Sequence, residues 1–400
     1  MKKIMMSAVA LTAIMGSVNT VSAENIDILS DIKVKGEIRV RYENADVIDN
    51  GVDAGNAFTA RTELAITGGL LGVENLTATV GLSSVNNFGY TNYAPEDANY
   101  DTIGDPQQAM LSQASIDYKL NKTAFHFGRS HVNLDNQRFI GTVGWRQMER
   151  SYDTVLVSDS SVKNLNLIAA YVYGYAGVNS VTTTDTNSVL LHANYKVMDE
   201  LTITGYGYLL ADIHDTYGIA LTGKVKAGPA KLDYRAEYAM QQDATMELYK
   251  QDVKADANYM NLDVGANISG ILVGANYEYM SGASVTGGSE TTFTTPLATA
   301  HKFNGWADAV NKNQGLIDMN ARIGYTAKGL GKILAVYHDF TADEVAAGAD
   351  DDRGSEIDVL YTNKIPGVNN LNGLIKYALF SAPTGSDDVQ KAWVQLDYKF

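Results

Sequence analysis

The sequence has no cysteine, only six prolines and few charged residues for its 400 positions. The absence of cysteine excludes disulfide frameworks, thiolate zinc sites and cysteine nucleophiles. Charged residues make up 19% of the chain, below the roughly 25% of an average soluble domain. The net charge is −15 and there is no basic run, so no nucleic-acid partner is expected. After the N-terminal segment no apolar run approaches the ~18 residues of a spanning helix, which excludes helical membrane proteins.

The N-terminus has the three parts of a secretory signal peptide. Lys2 and Lys3 precede a mostly apolar stretch over residues 4–15, and small residues lead up to Ala23. A membrane anchor is the alternative, but the apolar stretch is short and the small residues follow it directly. The sequence therefore predicts a signal peptide at residues 1–23 and one domain at residues 24–400.

Apolar and charged side chains alternate along most of the chain. Between residues 32 and 42, Ile38 and Val40 alternate with Arg39 and Arg41. This period of two is typical of strands with one apolar and one polar face. The same pattern predicts about eighteen strands, at residues 32–42, 58–68, 75–85, 108–120, 123–130, 148–159, 163–175, 187–197, 200–211, 215–226, 230–240, 251–263, 270–280, 315–327, 332–341, 354–363, 370–380 and 388–400.

The connections between these strands alternate in length. Long polar connections such as 86–107, 131–147 and 176–186 follow odd-numbered strands, and short ones such as 121–122 follow even-numbered strands. Outer-membrane barrels have this arrangement, with short periplasmic turns and longer outer loops, because a closed ladder satisfies every backbone group in lipid. The fold prediction is an all-β protein, a transmembrane antiparallel up-and-down β-barrel. Its apolar face contacts outer-membrane lipid, and its charged face lines a water-filled lumen.

The aromatic residues and the end of the chain fit the same prediction. Tyrosine accounts for 24 residues, and its apolar ring with a polar hydroxyl suits the girdles at the two membrane interfaces. The chain ends at Phe400, with Tyr398 on the same face of the last strand. A terminal aromatic on an alternating strand resembles the signal that barrel-assembly machinery recognises. The expected location is the cell outer membrane of a Gram-negative bacterium.

One long segment carries a family resemblance. Residues 127–155 read FGRSHVNLDNQRFIGTVGWRQMERSYDTV, which resembles the signature of the alginate-export-domain porins of proteobacteria. The segments 301–308, 337–340, 354–358 and 393–400 are also similar to that family. The resemblance implies an eighteen-stranded porin that is a monomer rather than a trimer. The resemblance indicates the architecture of the barrel more closely than the identity of the transported solute.

The connection 131–147 is the candidate pore constriction, because an early loop of a porin often folds into the lumen. Arginines on and near it are interspersed with acids such as Asp135. Arginine keeps its charge when partly desolvated and holds carboxylates in two-pronged contacts. Such groups either screen solutes in a narrow passage or pin the loop to the wall as ion pairs. The predicted pore-lining residues are Arg39, Arg41, Arg61, Arg129, Asp135, Arg138, Arg146, Arg150, Arg235 and Arg322.

No motif indicates catalysis. The six histidines are scattered, and neither a His-Glu-x-x-His pair nor a Gly-x-Ser-x-Gly motif is present. Residues 350–352 are three aspartates without the ligand spacing of an EF-hand, so a solvated outer loop is expected there. We expect no enzyme, cofactor or metal site. The predicted function is passive passage of small hydrophilic solutes or ions. Export of an acidic polysaccharide and a structural or adhesive barrel with a plugged lumen are the alternatives.

Overall fold

The computed structural model describes residues 28–242, 257–283 and 291–400. The predicted signal peptide at residues 1–23 and positions 251–256 of one predicted strand lie outside the described residues. The described chain forms nineteen strands: β1 Leu29–Val47, β2 Gly55–Leu70, β3 Leu76–Asn86, β4 Gln108–Leu120, β5 Thr123–Ser130, β6 Ser151–Asp159, β7 Leu165–Gly177, β8 Ser180–Met198, β9 Leu201–Leu210, β10 His214–Ala227, β11 Ala230–Gln242, β12 Ala257–Ile268, β13 Ile271–Ala283, β14 Thr291–Thr292, β15 Gly315–Ala327, β16 Gly331–Thr341, β17 Asp352–Lys364, β18 Leu371–Ser381 and β19 Val389–Lys399.

Eighteen of these strands close into one antiparallel barrel. Each strand pairs with its neighbours in the chain, and β1 pairs with both β2 and β19, which closes the ring. The two-residue strand β14 only adds to the end of β13, which pairs directly with β15. The predicted up-and-down barrel of about eighteen strands is therefore confirmed. A short 3₁₀ helix covers Ala300–Lys302. Within the described ranges, no helix is long and apolar enough to cross a membrane.

The strands present opposite chemistry on their two faces. On β1, Ile38 and Tyr42 are 42% and 39% exposed on the outside, whereas Arg39 and Arg41 are enclosed in the lumen. The same division continues on every second residue of the other barrel strands, so the outer face is apolar and the lumen is polar. This is the arrangement that a barrel surrounded by lipid requires.

Tyrosine hydroxyls lie on the outer face toward the end of the barrel that carries the long loops. Tyr42, Tyr171 and Tyr238 each donate a hydrogen bond of 2.7 Å to an asparagine side chain on the neighbouring strand. These rings therefore have an apolar body toward the middle of the barrel and a bonded hydroxyl toward its rim. The position fits an aromatic girdle at a membrane interface.

The connections largely alternate between short turns and long loops as predicted, but those after β7 and β9, two odd-numbered strands, are both short. Residues 176–186 were expected to form a long loop, but β7 and β8 continue as a hairpin to a tight turn after Gly177. Four threonines in residues 182–186 favour extended backbone, since β-branched side chains pack well on a pleated sheet. The alternation of polar residues there was too weak to be recognised as a strand.

The last residue closes the seam of the barrel. Phe400 and Gly36 exchange backbone hydrogen bonds of 2.8 and 3.0 Å. The Phe400 ring lies over Gly36, where any side-chain carbon would overlap the ring. The Tyr398 ring stacks beside it with centroids 5.9 Å apart. Both aromatic side chains are on the outer face, and their role in assembly stays a prediction.

Candidate functional site

Two long connections fold into the lumen and form a constriction. The first inward loop (residues 131–150) contacts the wall at three separate places. Glu149 pairs with Arg61 of β2 at 2.8 Å, Asp135 bonds to His192 of β8 at 2.9 Å, and Arg138 pairs with Glu278 of β13 at 2.7 Å. These strands lie five to seven positions apart around the barrel. The first inward loop therefore crosses the whole section of the lumen.

Guanidinium groups on β1 hold the middle of this loop. Arg39 Nη1 donates to the Gly144 carbonyl at 2.9 Å, and Arg41 Nη2 donates to the Trp145 carbonyl at 2.5 Å. A third connection, residues 87–107, supplies the buried Asp105, which accepts bonds from Arg41 and from the Gln147 amide. Carbonyl groups without a partner in the loop are thereby satisfied by charged donors of the wall.

The second inward loop (residues 293–314) is held by carboxylates of β17. Glu356 accepts a hydrogen bond of 2.7 Å from the Ala307 amide, and Asp358 accepts one of 3.2 Å from the Trp306 amide. Gly305 has a φ of +83° and lies against the Glu356 carboxylate, where a Cβ atom would overlap it. Only glycine suits this position, because both the conformation and the space exclude a side chain.

The two loops also pack on each other around a small apolar core. The Gly141 amide bonds to the Leu297 carbonyl at 2.9 Å, and the Thr299 amide bonds to the Gln137 carbonyl at 3.0 Å. Beneath these bonds the Phe139 ring contacts aromatic rings of both the wall and the second loop. The two loops thus act as one structural unit.

A tryptophan cage joins this unit to the barrel wall. All three tryptophans of the chain surround Lys376 of β18. The ammonium lies 4.1 Å from the Trp145 ring, 4.0 Å from the Trp306 ring and 5.0 Å from the Trp393 ring. It also donates to His301 Nε2 at 2.6 Å. Since Trp145 and Trp306 belong to different loops, one cation–π site ties both loops to β18 and β19.

Burial and ion pairing fix the charge states of two loop residues. Burial lowers the pKa of His301 to about 3, against the opposing effect of Asp308, and the nearby Lys376 lowers it further. Burial alone would raise the pKa of Glu149, but Arg61 and His131 outweigh it and bring this pKa to about 2. His301 is therefore neutral and Glu149 ionised throughout the neutral pH range.

Nine of the ten predicted pore residues lie in the lumen or on the inward loops. Most of them are bound in ion pairs: Arg138 is 1% exposed and holds Glu278 with two nitrogens, and Arg146 pairs with Glu43 and Asp308. The geometry matches a network that pins the loops, and a role in screening solutes stays a prediction. The nine residues are Arg39, Arg41, Arg61, Asp135, Arg138, Arg146, Arg150, Arg235 and Arg322.

The pore assignment of Arg129 was wrong. Strand β5 continues to Ser130, so Arg129 falls on the outer face with Phe127, which is 58% exposed. It pairs with Asp153 at 2.6 Å and bonds to the exposed Thr183 on the same face. The closeness of Arg129 in sequence to the loop arginines was misleading, because one residue of strand is enough to change the face.

Two cavities flank the constriction. The charged cavity, of about 750 Å³, lies beside β1–β4 and contains Arg61, Glu63 and Glu149. The asparagine cavity, of about 450 Å³, lies beside β11–β16. Asparagines from the wall and from both loops line it. Neither these amides nor the tryptophans were among the predicted pore-lining residues, although the wall asparagines occupy the polar positions of their strands. They are Asn136, Asn261, Asn276, Asn304 and Asn320.

In the described part of the chain, no group of three or more His, Asp or Glu side chains is suited to hold a metal ion. The charged residues of the constriction instead neutralise one another in pairs. The arrangement can narrow a water-filled passage and offer hydrogen-bonding groups to a solute beside the loops.

Neither a protein-family model nor a curated protein sequence matches the chain. The resemblance to alginate-export-domain porins is therefore not supported. Solved structures do match. OccK9 (OpdG) of Pseudomonas aeruginosa shares 17% identity, with a TM-score of 0.75 over 93% of this chain and 99% of that one. The outer membrane protein OpdK of the same organism, solved also with vanillate, shares 14% identity, with TM-scores of 0.71 and 0.72 over 93% of this chain and 99% of that one.

OccAB4 of Acinetobacter baumannii shares 15% identity, with a TM-score of 0.69 over 94% of this chain and all of that one. Structural similarity at this level of sequence identity shows a shared backbone fold. The chain thus has the closed eighteen-stranded barrel fold of these bacterial outer-membrane proteins.

Proposed function

We propose that the protein is a porin of the outer membrane, a water-filled channel through which small hydrophilic solutes or ions pass passively. The observation that carries the proposal is a closed barrel with an apolar outside and a polar lumen, narrowed by two inward loops with a cavity on either side. Barrels of this size leave an aqueous passage unless loops fill it.

The membrane and its assembly system are the remaining partners in this proposal. Outer-membrane lipid covers the apolar face, and the barrel-assembly machinery engages the last strand at Phe400 and Tyr398. The proposal includes a monomer, because one chain closes its own ring and every described barrel strand has two neighbours, so no second chain is needed to complete the pore. No cofactor and no enzymatic activity belong to the proposal.

Reconstitution of the purified protein tests the proposal directly. In planar lipid bilayers we expect discrete, steady conductance steps, and in liposomes we expect swelling when small sugars are added outside. A correctly folded barrel, judged by heat-modifiable migration on gels, that produced neither signal would support the structural barrel with a plugged lumen.

Export of an acidic polysaccharide is the less favoured transport function. A polyuronate chain requires a continuous track of unpaired cations, whereas Arg41, Arg61 and Arg138 are all bound to carboxylates. Short uronate oligomers that blocked single-channel current at micromolar concentration would reverse this preference.

A further inference from the structure

The asparagine cavity differs chemically from the rest of the constriction. Its volume of about 450 Å³ lies within the roughly 300–1,000 Å³ range of small-molecule sites. Amide side chains of the wall meet amides of both inward loops there, and Phe303 and Trp306 add apolar surface. A solute that passes beside the loops on this side of the lumen contacts these groups.

Several amide atoms at this cavity have no partner within the described chain. The Asn261 side chain makes no hydrogen bond there, and neither Asn136 Nδ2 nor Asn320 Oδ1 has a partner. Asn276 links two neighbouring strands, since it donates a hydrogen bond to Asp263 and accepts one from Asn320, both at 3.3 Å. Free donors and acceptors therefore line the same cavity, which suits the hydroxyl groups of a solute, because each hydroxyl both donates and accepts.

The charged groups at the cavity are largely engaged with one another. Arg322 holds Asp263 through two bonds of 2.7 and 2.8 Å, and Arg235 holds Glu237 through two bonds of 2.7 Å. Asp318 accepts bonds from Asn304 and His338.

Asp233 and Lys302 also line the cavity, are more exposed and have opposite signs, and Lys302 Nζ donates to the Asn136 carbonyl at 3.0 Å. A charged solute would meet charges of both signs here and gain little net electrostatic attraction for the water it gives up, whereas an uncharged one would exchange water for amide groups.

We infer that the asparagine cavity is a solute subsite for uncharged polyhydroxylated molecules of about monosaccharide size. The inference rests on the proposed channel function and names the class of solute that the passage favours. The lining amides select by hydrogen bonding, and the paired charges hold the loops in place.

Liposome swelling with three solutes of similar size tests this inference. Glucose is neutral, gluconate is an anion and glucosamine is a cation at neutral pH. We expect glucose to enter about fivefold faster than either ion, which corresponds to about 1 kcal/mol. Swelling at equal rates with all three, or faster with an ion, would refute the inference and leave the channel function intact. No swelling with any solute would refute the channel function itself.

A pair of matched variants locates the selecting site. Asn320→Asp adds one charge to the asparagine cavity, and Gln113→Glu adds the same charge to the charged cavity, each with almost no change in size. We expect Asn320→Asp to raise the ratio of glucosamine to gluconate entry about fivefold, and Gln113→Glu to leave it near the wild-type value. A shift caused by Gln113→Glu alone would place the solute path beside the charged cavity and overturn the assignment.

Discussion

Lys376 is the residue that most directly connects the loops with the wall. Its side chain is 5% exposed, and its ammonium contacts three tryptophan rings and His301. A desolvated cation–π contact contributes up to about 2 kcal/mol, and the buried acceptor on His301 would lose its donor as well. Removal of this one charge therefore weakens the attachment of both inward loops.

We expect Lys376→Met to give larger and noisier single-channel conductance than the wild type. Methionine keeps an unbranched apolar stem but offers no charge to the rings and no proton to His301. The loops should then spend part of the time away from the wall. Conductance histograms from planar bilayers measure both the mean and the fluctuations.

Lys332→Met is the control, because Lys332 lies on the lumen face of β16 outside the cage and its substitution removes the same charge. We expect its conductance noise to match the wild type. If both variants behaved alike, the effect would be one of lumen charge, and the cage would not determine the position of the loops.

Protonation of His301 at acidic pH should loosen the packing of the second inward loop. His301 has a pKa of about 3 in the cage against 6.5 in its usual state, so a released loop binds a proton that the packed loop excludes. The packed loop has its full stability above about pH 6.5 and loses up to about 2–3 kcal/mol by pH 4.5. The charged groups near His301 include Asp308, Lys376, Arg146 and Glu43. We expect channel fluctuations to increase as the pH falls through this interval.

His301→Gln provides the matched comparison. Its amide can accept from Lys376 and donate to Asp308, yet it does not titrate. The fluctuations of this variant should stay constant between pH 6.5 and 4.5. A variant that retained the full pH response would assign the effect to another titrating group.

At the scale of elements, the strands were predictable from the sequence and the loop contacts were not. Predicted strands at 123–130 and 315–327 coincide with β5 and β15, because the alternation of side chains repeats within each strand. Contacts such as Arg138 to Glu278 join residues 140 positions apart, and no local period encodes them. The three tryptophans lie in three separate segments of the sequence, and only the closed barrel brings them together.

The face assignment of β1 leads to a test in the membrane. We expect Ile38→Arg to destabilise the barrel by roughly 2–4 kcal/mol, since the outer face contacts lipid. Thr79→Arg places the same side chain on the lumen face of β3, where water solvates it, and should be tolerated. Urea unfolding in liposomes measures both. Equal losses of stability in the two variants would contradict the assignment of the faces.

The terminal strand allows a second test at this scale. Deletion of Phe400 removes two backbone bonds at the seam and the ring that covers Gly36. We expect lower amounts in the outer membrane and more degradation in the periplasm. Lys399→Gln, which keeps the length of the chain, should assemble normally. Normal assembly without Phe400 would rule out its role as an assembly signal.

For the whole molecule, the net charge of −15 does not predict which ions the passage prefers. The acids at 350–352 are exposed where the connection 342–351 meets the start of β17, while the charges at the constriction neutralise one another. The Debye length is only about 3 Å in molar salt, so outer-loop charges act on the passage mainly at low ionic strength.

We therefore expect cation and anion permeabilities that are almost equal in molar KCl, with cation preference appearing at about 10 mM. Reversal potentials across a salt gradient measure the ratio. Replacement of Asp350, Asp351 and Asp352 by asparagine should reduce the preference at low salt and change nothing in molar salt. Strong selectivity in molar salt would mean that unpaired charges line the narrowest part.

The seam between β1 and β19 has a consequence for biogenesis. Arg39 and Asp397 bond to each other across it although 358 residues separate them. Until the final strand is made, one edge of β1 has no partner, and an open strand edge invites pairing with other chains. The edge of β1 therefore has to be protected until β19 pairs with it. The loops that cross the lumen gain their complete set of wall contacts only once the ring has closed, so closure of the seam and formation of the constriction are coupled steps of maturation.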